Sequence, residues 1–296
     1  MTGVAAGAGQ GGPSHACDPD DPPWGVTTAA LMLALFYYMP WLLYETARGY
    51  FRLTGSRPSQ TFATVFSLSH LLVSHLIVLG VCWVVVTRAG RRPFFGTLGW
   101  GWPRHFELKK HHSDESYSAR RVTVLACFAL AGLSKQPVIF FPGAETEFEK
   151  ALFSTVPDTV VMTLAAVTTA PLVEELLFRG LLYPALRRLL RRHRLGRRGV
   201  GTALLRKFAR EGVSIATLAA VLAVTVLFTA VHVRQYGSPE GLNGGMVASV
   251  VLGGLFFTSL RAYTKSLLPS YVMHLIVNAS NIPLQVLLTL GVVPRR

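Results

Sequence analysis

The chain has 296 residues, 51% hydrophobic and only 15% charged, with a formal net charge of +14 and a mean hydropathy of +0.41. Globular chains run about 25% charged, so the composition argues against a soluble enzyme, and three well-separated cysteines (Cys17, Cys82, Cys127) exclude a disulfide framework or a CxxC metal pair. Several apolar runs approach or exceed the ~18–20 residues that cross a ~30 Å hydrocarbon core, which predicts an all-α, polytopic transmembrane helical bundle.

Residues 1–23 are rich in Gly, Ala and Pro, with Asp18, Asp20 and Asp21 but no Lys or Arg. A cleavable signal needs a basic region before a short apolar core, so this stretch reads as a disordered tail. The first span is expected over Val26–Tyr44 and is followed by Arg48, Arg52 and Arg57. The second runs over Phe62–Thr87, where His70 and His75 fit helix–helix hydrogen bonding better than ligation. Residues 88–121 form a loop with eight basic and three acidic residues. Its aromatic, Gly-punctuated stretch 93–103 is too short to span and reads as interfacial.

A third span is expected over Val122–Phe141, with Lys135 snorkelling near its end. The fourth, about Thr159–Leu190, carries Glu174, Glu175 and Arg179. Ten basic residues and no acid fall between 187 and 210, which marks a cytoplasmic block. Two further spans are expected over Val213–Val233 and Met246–Leu260. In the latter, Gly245, Ser249 and Gly253 recur every fourth position, a small-residue face for close helix approach. A seventh covers Leu267–Leu290. Seven crossings with the 187–210 block inside leave Arg48, Arg52 and Arg57 outside and the acidic tail inside, against the positive-inside tendency. The expected organisation is a tail (1–23), N-terminal membrane helices with the basic loop (24–142), a set of later membrane helices (157–284) and a C-terminal end (285–296).

A surplus of positive charge on a soluble surface would point to nucleic acid. Here the arginines lie between apolar runs, so membrane lipids are the expected partners and nucleic acid is not.

Charge inside a membrane is costly, roughly 2.5–3.5 kcal/mol per residue on insertion scales. Glu174, Glu175 and Arg179 therefore satisfy one another or do chemistry. Residues four apart share a helix face, so Glu175 pairs with Arg179 while Glu174 faces elsewhere. Two later spans carry polar residues at the same spacing, as Phe228-x-x-x-His232 and His274-x-x-x-Asn278. This set suits hydrolysis. Glu174 with His232 can hold and deprotonate water, His274 and Asn278 can donate to the oxyanion formed on a carbonyl, Phe228 walls the site, and Glu175–Arg179 fixes the helix face.

Counting ~1.5 Å per residue puts Glu174 about 22 Å along its span from the outer end. His232 falls about 27 Å along its own from the inner end. Straight, level helices would not bring them together, so Val213–Ala219 is expected to extend beyond the hydrocarbon.

Glu174-Glu175-x-x-x-Arg179, Phe228-x-x-x-His232 and His274-x-x-x-Asn278, in that order, resemble the motifs of the CAAX-protease and bacteriocin-processing (CPBP, or Abi) family. Its members are intramembrane endopeptidases related to the type II CAAX prenyl protease. The similarity covers about Pro157–Leu284. It implies a bundle of seven to eight spans with the active site between the later helices, in a bacterial inner (plasma) membrane. It further implies glutamate-activated water with no obligatory cofactor or metal, Glu174 and His232 serving the water and His274 with Asn278 the oxyanion. The substrates implied are membrane-associated peptides or proteins, either prenylated C-termini or leader and signal peptides.

Two histidines and a carboxylate are also a metal set. Zinc on Glu174, His232 and His274 is thus an alternative, although no HExxH is present and only Glu175 would remain as base. A non-catalytic scaffold or immunity-type protein is a second alternative. A transporter is a third, without a detectable inverted repeat to support it.

Overall fold

The computed structural model describes residues 20–103, 119–141, 143, 155–192, 214–238 and 241–292. Apart from one two-stranded ribbon, β1 (Gly237–Ser238) with β2 (Gly241–Leu242), the regular structure of these residues is helical. The helices, in chain order, are α1 (Val26–Thr54), α2 (Gln60–Thr87), α3 (Phe94–Leu98), α4 (Ala119–Phe140), α5 (Val156–Val167), α6 (Thr169–Glu175), a π-helical segment (Leu176–Leu182), α7 (Tyr183–Arg192), α8 (Ile215–His232), α9 (Gly244–Thr264), α10 (Leu267–Ala279) and α11 (Ile282–Thr289). Among the described residues six helical stretches are long and apolar enough to cross a membrane, the fourth being Thr159–Arg192 taken through its breaks; α10 is a shorter apolar helix. The chain is an all-α membrane bundle.

Two expected spans prove to be broken. The fourth turns at Thr168 (φ −129°, ψ −78°). Pro171 explains the position, because a proline ring clashes with the carbonyl four residues back, here Val167, the last residue of α5. The π segment follows, and its widened turn is closed by the Tyr183 N–H donating to the Phe178 carbonyl. Leu176, Leu177, Phe178 and Leu181 in it are buried, so the Glu-Glu segment lies at the centre of the bundle. The seventh span is likewise divided, by Ser280 and Asn281, into α10 and α11.

The helix ends show why the elements stop where they do. Ser59 caps α2 by accepting from the Phe62 N–H (3.1 Å). Gly55 (φ +63°) takes the left-handed conformation that closes α1, so α1 runs ten residues past the expected Tyr44 and carries Arg48 and Arg52 as helical residues. The small-residue face of α9 meets α4: a Cβ on Gly245 would lie 2.2 Å from the Phe141 carbonyl oxygen and 3.0 Å from that of Pro137.

In three places the structure supplies partners that the expectation lacked. The tail is ordered from Asp20, whose buried carboxylate bonds Arg261 (3.0 Å) and Arg187 (3.1 Å); Arg188 holds Asp21 (3.0 Å), and the Trp24 indole donates to the Leu181 carbonyl (3.0 Å). Residues 1–19, including Cys17, lie outside the described residues. These pairs give the acidic residues arginine partners on α7 and α9. Stretch 93–103 enters the bundle. The Gly99 carbonyl accepts from Leu267 N–H (3.1 Å), and buried Leu98 packs against Gly180 and Leu267, while Phe95 stays exposed. Lys135 Nζ donates to Asn281 Oδ1 (2.9 Å). Of the two histidines on α2, His75 reaches across to Thr169 Oγ1 (2.8 Å), whereas His70 bonds the Phe66 carbonyl of its own helix (3.1 Å).

Candidate active site

Glu174 and Glu175 are the last residues of α6, adjacent in sequence and so turned about 100° apart. Glu175 points into the interior. Its Oε1 accepts from Arg179 Nη1 (3.0 Å) and pairs with His274 Nδ1 (2.8 Å), and its Oε2 accepts from the Ser270 hydroxyl. Arg179, fully buried, also donates from Nε to Thr258 Oγ1 (3.2 Å) and from Nη2 to the Gly254 carbonyl (3.4 Å). Its guanidinium lies 4.2 Å from the ring centre of Phe228 and 5.1 Å from that of Phe257. Cation–π contacts of this kind strengthen when desolvated. Besides their mutual bond, both members of the Glu175–Arg179 pair find partners on α9 or α10, which is what permits such charges in a bundle interior.

Glu174 faces the other way and keeps 14% of its side chain exposed. Its Oε2 lies 3.6 Å from His232 Nε2 and 3.8 Å from His274 Nε2. Both separations are too long for a direct hydrogen bond and short enough for one water to touch two of the groups. The other nitrogen of each ring is committed. His232 Nδ1 lies 2.7 Å from the Phe228 carbonyl, one turn back. A carbonyl only accepts, so Nδ1 carries the proton and a neutral ring presents a lone pair at Nε2. The His274 ring stacks on Phe257 (4.5 Å, 19°).

The depth difficulty is resolved by pairing at the far end. Arg187 Nε donates to Thr217 Oγ1 (3.0 Å), so α7 and α8 run antiparallel from a common level. From there Glu174 is thirteen residues back and His232 fifteen on, roughly 20 and 22 Å at 1.5 Å per residue. Of the stretch expected to protrude, Ala216 is buried, and Val213 lies outside the described residues.

A cavity of about 100 Å³ opens beside the site, lined by His232, His274, Asn278, Phe257, Tyr236 and Lys135 among others. That is room for a few waters. Asn278 does not turn both amide hydrogens to it, because its Nδ2 donates to the Ala166 carbonyl at the end of α5 (2.9 Å). Among the described residues no three His, Cys, Asp or Glu side chains are arranged to hold a metal ion.

Glu174, His232 and His274 are thus brought around one carboxylate oxygen, Glu175 and Arg179 lie behind them, and Phe228 sits between His232 (4.4 Å) and Arg179. Sequence reasoning missed Ser270, Thr258, Phe257 and Lys135. Ser270 had a usable signal, since it precedes His274 by one turn on the same face.

Comparison with known proteins adds one finding. Residues 156–280 match the family model described as type II CAAX prenyl endopeptidase, Rce1-like. No curated protein and no solved structure matches the chain. The matched segment contains the three motifs, Glu174 to Arg179, Phe228 to His232 and His274 to Asn278. The family is one of membrane proteases that act on membrane-associated proteins or peptides. Residues 156–280 of this multi-pass membrane protein therefore form an Rce1-like domain of the type II CAAX prenyl endopeptidase family.

Proposed function

We propose that this chain is an intramembrane endopeptidase of the glutamic type, cleaving a peptide bond in a membrane-associated protein or peptide with water activated by Glu174 and His232. One observation carries the reading: Glu174 Oε2 has two imidazole Nε2 atoms within 4 Å, each ring anchored through Nδ1. A water lying between Glu174 and His232 Nε2 meets two acceptors, so each of its protons has a base. Glu174 takes one proton as the water oxygen bonds to the carbonyl carbon. The C–N bond then breaks as the leaving nitrogen receives that proton back.

His274 serves the oxyanion in this scheme. Its Nδ1–H is committed to Glu175, so donation from Nε2 requires both ring nitrogens to be protonated. Asn278 contributes its second amide hydrogen, or turns from the Ala166 carbonyl when substrate enters. Phe228 and Phe257 shut water away from the reacting atoms on one side. The scheme uses no metal. The substrate's peptide segment exceeds a cavity of about 100 Å³, so binding widens it.

The test is a comparison of new peptide termini in membranes carrying the wild-type chain or the Glu174→Gln chain at matched abundance. Termini that depend on Glu174 are expected. An unchanged terminal proteome alongside unchanged cellular function would return the chain to the scaffold reading.

A further inference from the structure

A second site lies outside the matched domain. Beside the turn that joins α1 and α2, residues of both helices and of the turn line an open cavity of about 510 Å³, within the ~300–1,000 Å³ range of small-molecule pockets. Its walls are the rings of Tyr44, Phe51, Phe62 and Phe66, and its rim carries Arg48 and Arg52, one turn apart on the same face of α1. Arg48 is loosely held by Glu45 (3.4 Å) with half its side chain exposed. No acidic partner meets Arg52 among the described residues.

The position of these arginines is what calls for an anion. The start of α1 is anchored, through Asp20, to Arg187 and Arg261. Arg48 lies 22 residues beyond Val26, about 33 Å along the helix and thus roughly one hydrocarbon thickness from the Arg187–Arg192 cluster. The positive-inside tendency that accounts for one cluster cannot account for the other.

We infer that the cavity between α1 and α2 binds an anionic phospholipid, its phosphate held by Arg48 and Arg52 and an acyl chain laid among Tyr44, Phe51, Phe62 and Phe66. The walls are apolar and the rim cationic, which is the division an amphiphile with one phosphate needs. A free phosphate would leave the aromatic walls uncovered, and a zwitterionic lipid would bring its own cation against the arginines.

The experiment is native mass spectrometry of the purified full chain offered equimolar dioleoylphosphatidylglycerol and dioleoylphosphatidylcholine. An arginine near the surface favours anionic lipid roughly fivefold, so the pair gives an enrichment on the order of 25-fold. The enrichment is expected to fall to near unity in Arg48→Gln/Arg52→Gln. It should persist in Arg48→Lys/Arg52→Lys, and in Arg191→Gln/Arg192→Gln at the opposite end. Equal retention of both lipids by the wild type, or enrichment surviving the double Gln change, overturns the proposal. So does displacement of the lipid by inorganic phosphate alone. A doubled mass that disappears with the arginines would assign the groove to a second copy of the chain instead.

Discussion

Replacing Glu175 by Gln separates the electrostatics of the site from its chemistry. The side chain is fully buried. A glutamine oxygen in the Oε1 place still accepts from Arg179 and His274, and the amide nitrogen in the Oε2 place donates to a rotated Ser270 hydroxyl. The hydrogen bonds survive; one negative charge does not. The ring contacts of Arg179 with Phe228 and Phe257 are present before and after, so they offset nothing. Removing one partner of a buried ion pair is worth about 3–5 kcal/mol. At about 2–4 °C per kcal/mol for chains of 150–250 residues, Tm should drop by roughly 6–20 °C. Glu174→Gln is the contrast: no direct hydrogen bond is lost at 3.6 and 3.8 Å, so stability should change by less than about 1 kcal/mol. Its peptidase activity should fall by ~10²–10⁴, the usual weight of a general base. Thermal unfolding of both variants in one detergent, with appearance of new termini as the activity readout, decides the matter. Equal Tm losses at the two positions, or none at Glu175, would refute the division of labour between these adjacent acids.

Asp20→Asn should lower thermal stability by about 3–5 kcal/mol, because it removes the charge that Arg187 and buried Arg261 pair with; a neutral result by calorimetry would show that these pairs are not integral to the fold. Gly254→Ala should cut activity more than stability. Its Cβ would lie 3.1 Å from Phe228 Cδ1, and Phe228 supplies the carbonyl that fixes His232. A strong chelator should leave turnover intact; loss that zinc alone restores would favour the metal alternative, whose ligands would have to close to about 2.0–2.2 Å from the ion.

The helices were legible because hydropathy over ~20 residues is a large signal, and the site because three i, i+4 pairs sat where polar groups are least tolerated. What hydropathy could not register is conformation inside an apolar run. Residues 159–190 read as one span, yet Pro171 breaks it and a π turn rewinds it. The packing of Leu98 against Gly180 and the Ser270 hydroxyl were equally hidden, each being one ordinary residue in an ordinary context. Asp20 was misread for another reason: its Arg261 partner is 241 residues away, and no local pattern connects them.

The breaks and the site are linked. An unbroken helix through Pro171 would carry Val167 and Glu174 in one fixed register, with no freedom to bring Ala166 under Asn278 while Glu175 meets Ser270. The turn at Thr168 lets α5 lean on α10 through Asn278, and α6 lean on it again through Ser270 and His274. His75, bonded to Thr169 from α2, holds the start of the second segment. Glu175 is thereby held both by Arg179 of its own run and by Ser270 and His274 of α10. That explains how Glu174 can remain partly exposed and unbonded while its neighbour is wholly enclosed.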